Sequence, residues 1–100
     1  MDRKKLERLW KAIAVARRSL QDASDLEALA LLAERARFSG GNHVMWQSAF
    51  PAHRAFPIAR HGGNQKVGHR PQRVILDHLE ADAAAWEDWL DANDGEDHDR

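Results

Sequence analysis

The fold is decided by the stretch Gly40-Gly41-Asn42-His43-Val44-Met45-Trp46, in which a turn leads into an apolar run. Its first three residues are of types that tolerate a positive φ angle, which predicts a tight turn. The run His43–Gln47 predicts a strand that places Val44 and Trp46 on one face and its first residue on the other. A weaker strand signal over Arg35–Ser39 predicts a partner that pairs back across the two glycines.

Two further elements follow this hairpin. The segment Ala55–Arg60 predicts another strand, and Pro57 within it indicates an edge position or a bend, because proline cannot donate to a neighbouring strand. A glycine-rich basic loop over His61–Arg70 comes next, and Pro71 is well placed as the first residue of a helix. The apolar residues of that helix are spaced as one broad stripe. They are Val74, Ile75, Leu79, Trp86, Trp89 and Leu90.

Two helices are predicted before the hairpin. Residues 2–20 carry an amphipathic pattern of helical period. Ser24 precedes Glu27 by three residues, which is the spacing of a capping box, so a second helix is expected from about Asp25 to Arg35. The fold class is therefore α+β, with an extra amino-terminal helix and a long carboxy-terminal one. We expect one domain over residues 1–90 and an acidic, disordered tail over residues 91–100.

Length and composition limit the classes of protein that the chain can be. One hundred residues, 43% of them hydrophobic, suffice for one domain with a modest core. The chain has no cysteine, which excludes a disulfide framework and a thiolate zinc site. It also lacks an uninterrupted apolar run of the length that a membrane span requires, so we expect a cytoplasmic protein that does not bind a membrane.

The net charge of -1 conceals a strong segregation of charge along the sequence. Residues 35–73 carry seven basic side chains and no acidic one, whereas residues 74–100 carry ten acids and one arginine. A surface formed by the basic block would attract a polyanion. The alternative is that these charged residues are simply exposed to solvent on different faces of the protein, which would give the same pattern.

The residue types in the basic block narrow the chemistry that it can support. Its histidines have no recognisable zinc-ligand spacing and no carboxylates nearby, so no metal or other cofactor is expected. Neither a nucleophile elbow nor a Walker loop is present. What remains is ribonuclease chemistry, in which one imidazole moves a proton and cations stabilise the phosphorane. His43 is the candidate for that imidazole, and a solvated strand histidine is the alternative.

The order of motifs between Leu26 and Leu79 resembles the HicA family of toxin–antitoxin mRNA interferases. After an apolar helix, the matching motifs are Gly41-Asn42-His43-Val44-Met45-Trp46, Arg60-His61-Gly62-Gly63, Lys66-Val67-Gly68 and Arg73-Val74-Ile75-Leu76. The long first helix is similar to that of extended family members. Two features depart from the family: the usual serine before the histidine is Asn42, and the last helix runs on into the acidic tail.

This resemblance implies a fold, an activity and partners. The fold would be the α-β-β-β-α arrangement of double-stranded-RNA-binding domains. The activity would be metal-independent cleavage of mRNA, with His43 as the catalytic residue after the motif turn Gly41-Asn42. A HicB-like antitoxin would cover the active site, as a toxin–antitoxin hetero-oligomer, and a homodimer is a further option.

Supporting residues and rival functions complete the sequence-based expectations. Candidates for RNA or phosphate contacts are chosen for their position around the predicted site and at the start of the last helix. They are Arg60, His61, Lys66, Arg70 and Arg73. One alternative function is a non-catalytic RNA- or DNA-binding module. Another is a protein-interaction domain with a basic docking face, in which Trp10, Trp86 or Trp89 anchors the partner.

Overall fold

Three helices and a three-stranded antiparallel sheet make up the fold, in a computed structural model that describes residues 1–41, 43–59 and 66–98. In chain order the elements are α1 (Arg3–Ala16), α2 (Ala23–Leu32), β1 (Ala36–Gly40), β2 (His43–Gln47), β3 (Phe56–Pro57) and α3 (His69–His98). The α+β class is confirmed, and the order from α2 onward is compatible with the expected α-β-β-β-α arrangement.

The glycine hairpin forms as predicted. β2 has the expected bounds, and β1 begins one residue later than the predicted strand. Gly40 pairs with His43, so the loop between the strands has only two residues, and Gly41 adopts a φ of 66°. Loops of this length need positive φ angles, because the turn must follow the twist of the strands. β3 is short and lies at an edge of the sheet, as its proline indicated.

The two faces of the sheet have different environments. Trp46 and Phe56 are paired across β2 and β3, and both are buried in the core. Antiparallel partners share a face, and alternate residues face opposite ways. The other face therefore carries the remaining alternate positions, and we call it the outer face. It comprises Ala36, Phe38, Gly40, His43, Met45, Gln47 and Pro57.

α1 is capped and amphipathic. The carboxylate of its N-cap, Asp2, accepts a hydrogen bond from the backbone N–H of Lys5 at 2.8 Å. Leu6, Leu9 and Ile13 are buried at helical spacing. The helix ends at Ala16, four residues before the end of the predicted pattern.

α2 begins earlier than expected because its capping box was assigned to the wrong residues. The N-cap is Asp22, whose carboxylate accepts from the backbone N–H of Asp25 at 3.0 Å, while the Asp25 carboxylate accepts from the N–H of Asp22 at 3.3 Å. Ser24 instead donates its hydroxyl proton to Asp22 at 2.7 Å. Aspartate at both positions of the box satisfies the same two backbone donors that a serine and a glutamate would.

The end of α2 directs the chain into the sheet. Glu34 adopts a left-handed φ of 65°. Its N–H donates to the carbonyl of Leu31, and the N–H of Arg35 donates to that of Ala30, which is the Schellman pattern of a helix end. Glycine usually occupies this position. Here the Glu34 carboxylate binds the amino-terminal ammonium of Met1 at 2.6 Å, an interaction that glycine could not make.

α3 is longer at both ends than the sequence predicted. It starts two residues before Pro71 and runs to His98, so residues 91–98 continue a helix where a disordered tail was expected. Of its apolar stripe, Ile75, Leu79, Trp86 and Leu90 are buried. Val74 and Trp89 are 47% and 45% exposed, so the stripe is narrower than predicted. No helix in the described ranges is both long and apolar enough to cross a membrane.

Candidate nucleic-acid interface

His43 is the first residue of β2, directly after the two-residue loop. Its backbone pairs with Gly40, and alternation along the strand puts position 43 on the outer face, with Met45 and Gln47. The side chain of His43 lies outside the described part of the structure, so its separation from the core-facing residues stays a prediction. Of the other predicted site residues, Asn42, Arg60 and His61 lie outside the described residues.

A basic cleft lies at the start of α3. It has a volume of about 470 Å³, and its lining consists of Arg17, His69, Arg70, Gln72, Arg73 and Leu76. The first turn of α3 carries no acidic residue. The free N–H groups of a helix start carry partial positive charge, which adds to that of the arginines. The structure thus places Arg70 and Arg73 in one cleft, and their contacts to phosphate stay a prediction.

Arg17 also lines the cleft, although the sequence analysis did not select it as a site residue. It is the C-cap of α1, and its guanidinium binds Glu80 at 2.6 Å and Asp77 at 2.7 Å. The hydrogen bonds that Arg17 donates, first to Glu80 and then to Asp77, raise the pKa of Arg17 above its ordinary value. The two carboxylates hold the side chain in place and offset part of its charge. Only tertiary packing joins residues that are 60 and 63 positions apart, so no local pattern could have identified Arg17.

The floor of the cleft is fixed by Gln72. This side chain is buried, and its carbonyl oxygen accepts from the backbone N–H of Gln21 at 2.7 Å. Its amide nitrogen donates to the carbonyls of Ala16 at 3.1 Å and Ser19 at 3.0 Å. One side chain therefore ties α3 to the end of α1 and to the α1–α2 connection. This arrangement holds the neighbouring Arg70 and Arg73 on a rigid support.

Lys66 lies before α3 and faces a carboxylate. Its backbone forms an isolated antiparallel bridge with Asp22, and the next residue, Val67, donates its N–H to Gln21 at 2.8 Å. Hydrogen bonds from Ser24 and from the Asp25 backbone hold the pKa of Asp22 below its usual value, and the charge of Lys66 acts in the same direction. The lysine is exposed, but Asp22 offsets part of the charge that it would offer to a phosphate.

Arg35 lies in the basic block of the sequence, but its side chain is not at the protein surface. Its side chain is fully buried, and its guanidinium donates to both carboxylate oxygens of Asp82, at 2.7 and 3.1 Å. The remaining guanidinium nitrogen donates to the carbonyls of Trp46 and Arg54, each at 2.9 Å. The guanidinium also lies 4.3 Å from the ring centroid of Phe56. The acid that the block lacked in sequence is thus supplied by α3.

Asp82 also binds Ser48 and His53. Ser48 donates its hydroxyl proton to Asp82 Oδ1 at 3.0 Å, and His53 Nδ1 lies 2.7 Å from the same oxygen. In a nucleophilic triad, the hydroxyl binds the imidazole and the imidazole binds the carboxylate. Here the hydroxyl and the imidazole both bind one carboxylate oxygen. This arrangement fixes the β2–β3 connection to α3.

The described residues contain no group of three or more histidine or acidic side chains placed to hold a metal ion. Comparison of the chain with protein-family models, curated proteins and solved structures found no match.

Proposed function

We propose that this protein is a metal-independent endoribonuclease of the HicA type, the mRNA-cleaving toxin of a toxin–antitoxin pair, with His43 as its catalytic residue. The observation that carries the proposal is the position of that residue. It follows a left-handed glycine turn and begins β2 on the outer face, within an α-β-β-β-α order of elements. The order of elements in the described residues is compatible with the order of motifs in the segment that resembles the family.

The reaction needs little machinery. A ribose 2′-hydroxyl attacks the adjacent phosphorus, the bond to the 5′-oxygen breaks, and a 2′,3′-cyclic phosphate forms. One proton leaves the 2′-oxygen and one must reach the departing 5′-oxygen. An imidazole with a pKa near neutrality can perform either transfer, and His43 would supply it. Nearby cations would stabilise the charge that develops on the phosphorane oxygens.

Contacts to the rest of the RNA would come from the basic cleft. Arg70 and Arg73 are exposed beside a helix start, where phosphate groups bind favourably. Single-stranded RNA spans several nucleotides of such a surface, so phosphates away from the cleaved bond would bind there. A HicB-like antitoxin in the cytoplasm would neutralise the toxin by covering the same surfaces.

The test is RNA cleavage in EDTA by the wild-type protein and by His43→Ala. A matched control is Gln47→Ala, which changes a half-buried residue on the same strand and the same face. We expect cleavage by the wild type and the control, and none by His43→Ala. Expressed without an antitoxin, the wild type and Gln47→Ala should arrest growth, whereas His43→Ala should not. Cleavage by folded His43→Ala at the wild-type rate would remove His43 from the mechanism.

A second candidate function is favoured by the cleft itself. Its lining residues come from α1 and α3, whereas His43 is in the sheet, so the cleft could bind a nucleic acid without any catalysis. The protein would then be a non-catalytic RNA- or DNA-binding module. It would bind in a salt-sensitive manner, leave RNA intact, and retain its affinity in His43→Ala.

A further inference from the structure

β1 is an edge strand that is open along its whole length. The strand order of the sheet is β1-β2-β3, so β1 has a neighbouring strand on one side only. All five of its residues, Ala36–Gly40, are exposed, and no backbone hydrogen bond joins its free side to another residue in the described ranges. Natural proteins usually shorten, cover or block such an edge, because its unpaired N–H and C=O groups can bind another strand. The opposite edge is blocked in this way, since β3 has two residues and one of them is Pro57.

The register of the hairpin determines which backbone groups of β1 point to the free side. Gly40 is the last residue before the two-residue loop, so it forms a hydrogen-bonded pair with the first residue of β2. Hydrogen-bonded and non-hydrogen-bonded pairs alternate along an antiparallel ladder. The N–H and C=O groups of Ala36, Phe38 and Gly40 therefore point to β2. Those of Arg37 and Ser39 point away from β2, to the free side.

Two copies of β1 complement each other when they pair antiparallel about a twofold axis beside Phe38. Arg37 of one copy then lies opposite Ser39 of the other, and each such pair can exchange two hydrogen bonds through its outward backbone groups. Ala36 lies opposite Gly40, so every residue of the strand is paired. An axis beside Arg37 would pair fewer residues and would set two arginines opposite each other, which is unfavourable. Because Arg37 is the only charged residue of β1, the register centred on Phe38 opposes no like charges.

The same register brings the two Phe38 side chains together. Phe38 meets its copy as a non-hydrogen-bonded pair, in which the Cα atoms are about 4.5 Å apart and the side chains are close. Both rings lie on the outer face, where Phe38 pairs with Met45 and Met45 pairs with Pro57. An apolar row would therefore continue from one copy to the other. Phe38 is 43% exposed in the single chain, and a cross-strand aromatic pair would cover part of that surface.

We propose that β1 is a self-association edge, at which two copies of this chain pair their β1 strands antiparallel, with Phe38 opposite Phe38, to form one continuous sheet. The occupant of the edge is a second copy because the strand complements itself in hydrogen bonding, in length and in charge. The interface is isologous, and the blocked edge at β3 ends the assembly at two copies. This dimer does not require the proposed nuclease activity.

Disulfide trapping tests the register, because the chain has no cysteine of its own. In full-length Phe38→Cys the two new side chains would start from Cα atoms about 4.5 Å apart, within the range that a disulfide spans. Ala36→Cys is the matched control, since Ala36 is exposed on the same strand and the same face. Its two copies would lie four residues apart along the strands, at about 14 Å, which is beyond that range. Under mild oxidation we expect a disulfide-linked dimer of Phe38→Cys only.

Sedimentation equilibrium from micromolar to millimolar protein measures the dimer without a covalent link. Phe38→Glu sets two carboxylates opposite each other at the axis and should raise the dissociation constant of the dimer about ten-fold or more. Val15→Glu adds the same charge at an exposed apolar residue of α1 and should leave that constant unchanged. Ser39→Pro removes an outward N–H, which an edge strand tolerates, and should also weaken the dimer. Far-ultraviolet circular dichroism and the urea midpoint establish that each variant is folded.

The outcomes decide between this interface and the alternatives. A wild-type dimer that Phe38→Glu weakens, together with trapping of Phe38→Cys but not of Ala36→Cys, supports the proposal. A wild type that stays monomeric at every concentration overturns it. Equal dissociation constants for the wild type and folded Phe38→Glu overturn it too, since another surface then holds the copies together. Equal disulfide yields from the two cysteine variants, including none from either, overturn the register centred on Phe38. All these measurements are independent of RNA cleavage, so they leave the nuclease proposal to its own test.

Discussion

Arg35 and Asp82 form a buried, bidentate ion pair between the start of the sheet and the middle of α3. Arg35 Nε and Nη2 donate to Asp82 Oδ2 and Oδ1 at 2.7 and 3.1 Å, and the two side chains are 0% and 1% exposed. The carboxylate also binds Ser48 and His53. One aspartate on α3 therefore fixes three points on the chain between residues 35 and 53.

Asp82→Asn should destabilise the protein severely. The variant keeps the side-chain shape and one acceptor oxygen but leaves the guanidinium of Arg35 buried without a counter-charge. Breaking a buried pair in this way costs about 3–5 kcal/mol of the free energy of unfolding. Urea unfolding measures the change. Asp77→Asn is the control, since Asp77 is 62% exposed in its ion pair with Arg17 and its loss should cost less than about 1 kcal/mol. Equal losses for the two variants would contradict the assigned role of Asp82.

Gly41→Ala should weaken the hairpin. Gly41 has a φ of 66°, and apart from its chain neighbours no atom of the described residues lies within 4 Å of the position that a Cβ would take, so the expected cost comes from the backbone conformation. A left-handed residue with a side chain costs about 1–2 kcal/mol. Gly68→Ala is the matched control, because its Cβ would make only an ordinary contact with Pro71, at 3.5 Å. Thermal or urea unfolding of both variants should show a clear loss only for Gly41→Ala.

Glu34 makes the stability depend on pH in the acid range. The hydrogen bond from the amino-terminal ammonium, reinforced by Lys5, holds the pKa of Glu34 below its ordinary value of 4.5. A carboxyl whose pKa is lower in the folded state stabilises the fold above its unfolded pKa, and this contribution is lost as the pH falls through the folded pKa. The free energy of unfolding should therefore decrease below about pH 4.5, and less steeply in Glu34→Gln. Glu7→Gln, a neutralising change on the exposed side of α1, should keep the wild-type slope.

Arg70 and Arg73 should contribute to the salt dependence of RNA binding. Each arginine that neutralises a phosphate of a single strand adds about 0.7 to the slope of log affinity against log salt concentration. Arg70→Ala and Arg73→Ala should each lower the affinity and reduce the slope by about that amount. Arg8→Ala removes an exposed arginine from α1 and should change neither. An unreduced slope in both cleft variants would exclude the cleft from the RNA-binding surface.

The expectations that proved accurate depended on neighbouring residues. β2 and its turn follow from alternation and from glycine, and the edge position of β3 follows from Pro57. The capping box was misplaced because serine and aspartate compete for the same role within three residues, and local sequence does not decide between them. The helical continuation to His98 was missed, since an acidic composition indicated disorder while α3 extends through that segment.

Local sequence accounts for the order of the elements, the left-handed turn at Gly41 and the alternation that sets His43 apart from Trp46. These features depend on backbone preference and on a period of two residues, which a short stretch contains in full. Which charged side chains reach the surface depends on how the elements pack together. Arg35 is buried because it forms an ion pair with Asp82, which is 47 residues away in sequence. Arg17 lines the cleft because its ion pairs with Asp77 and Glu80 hold it there. Ion pairs between distant residues form when packing brings the partners together, so a one-dimensional count of charge cannot foresee them.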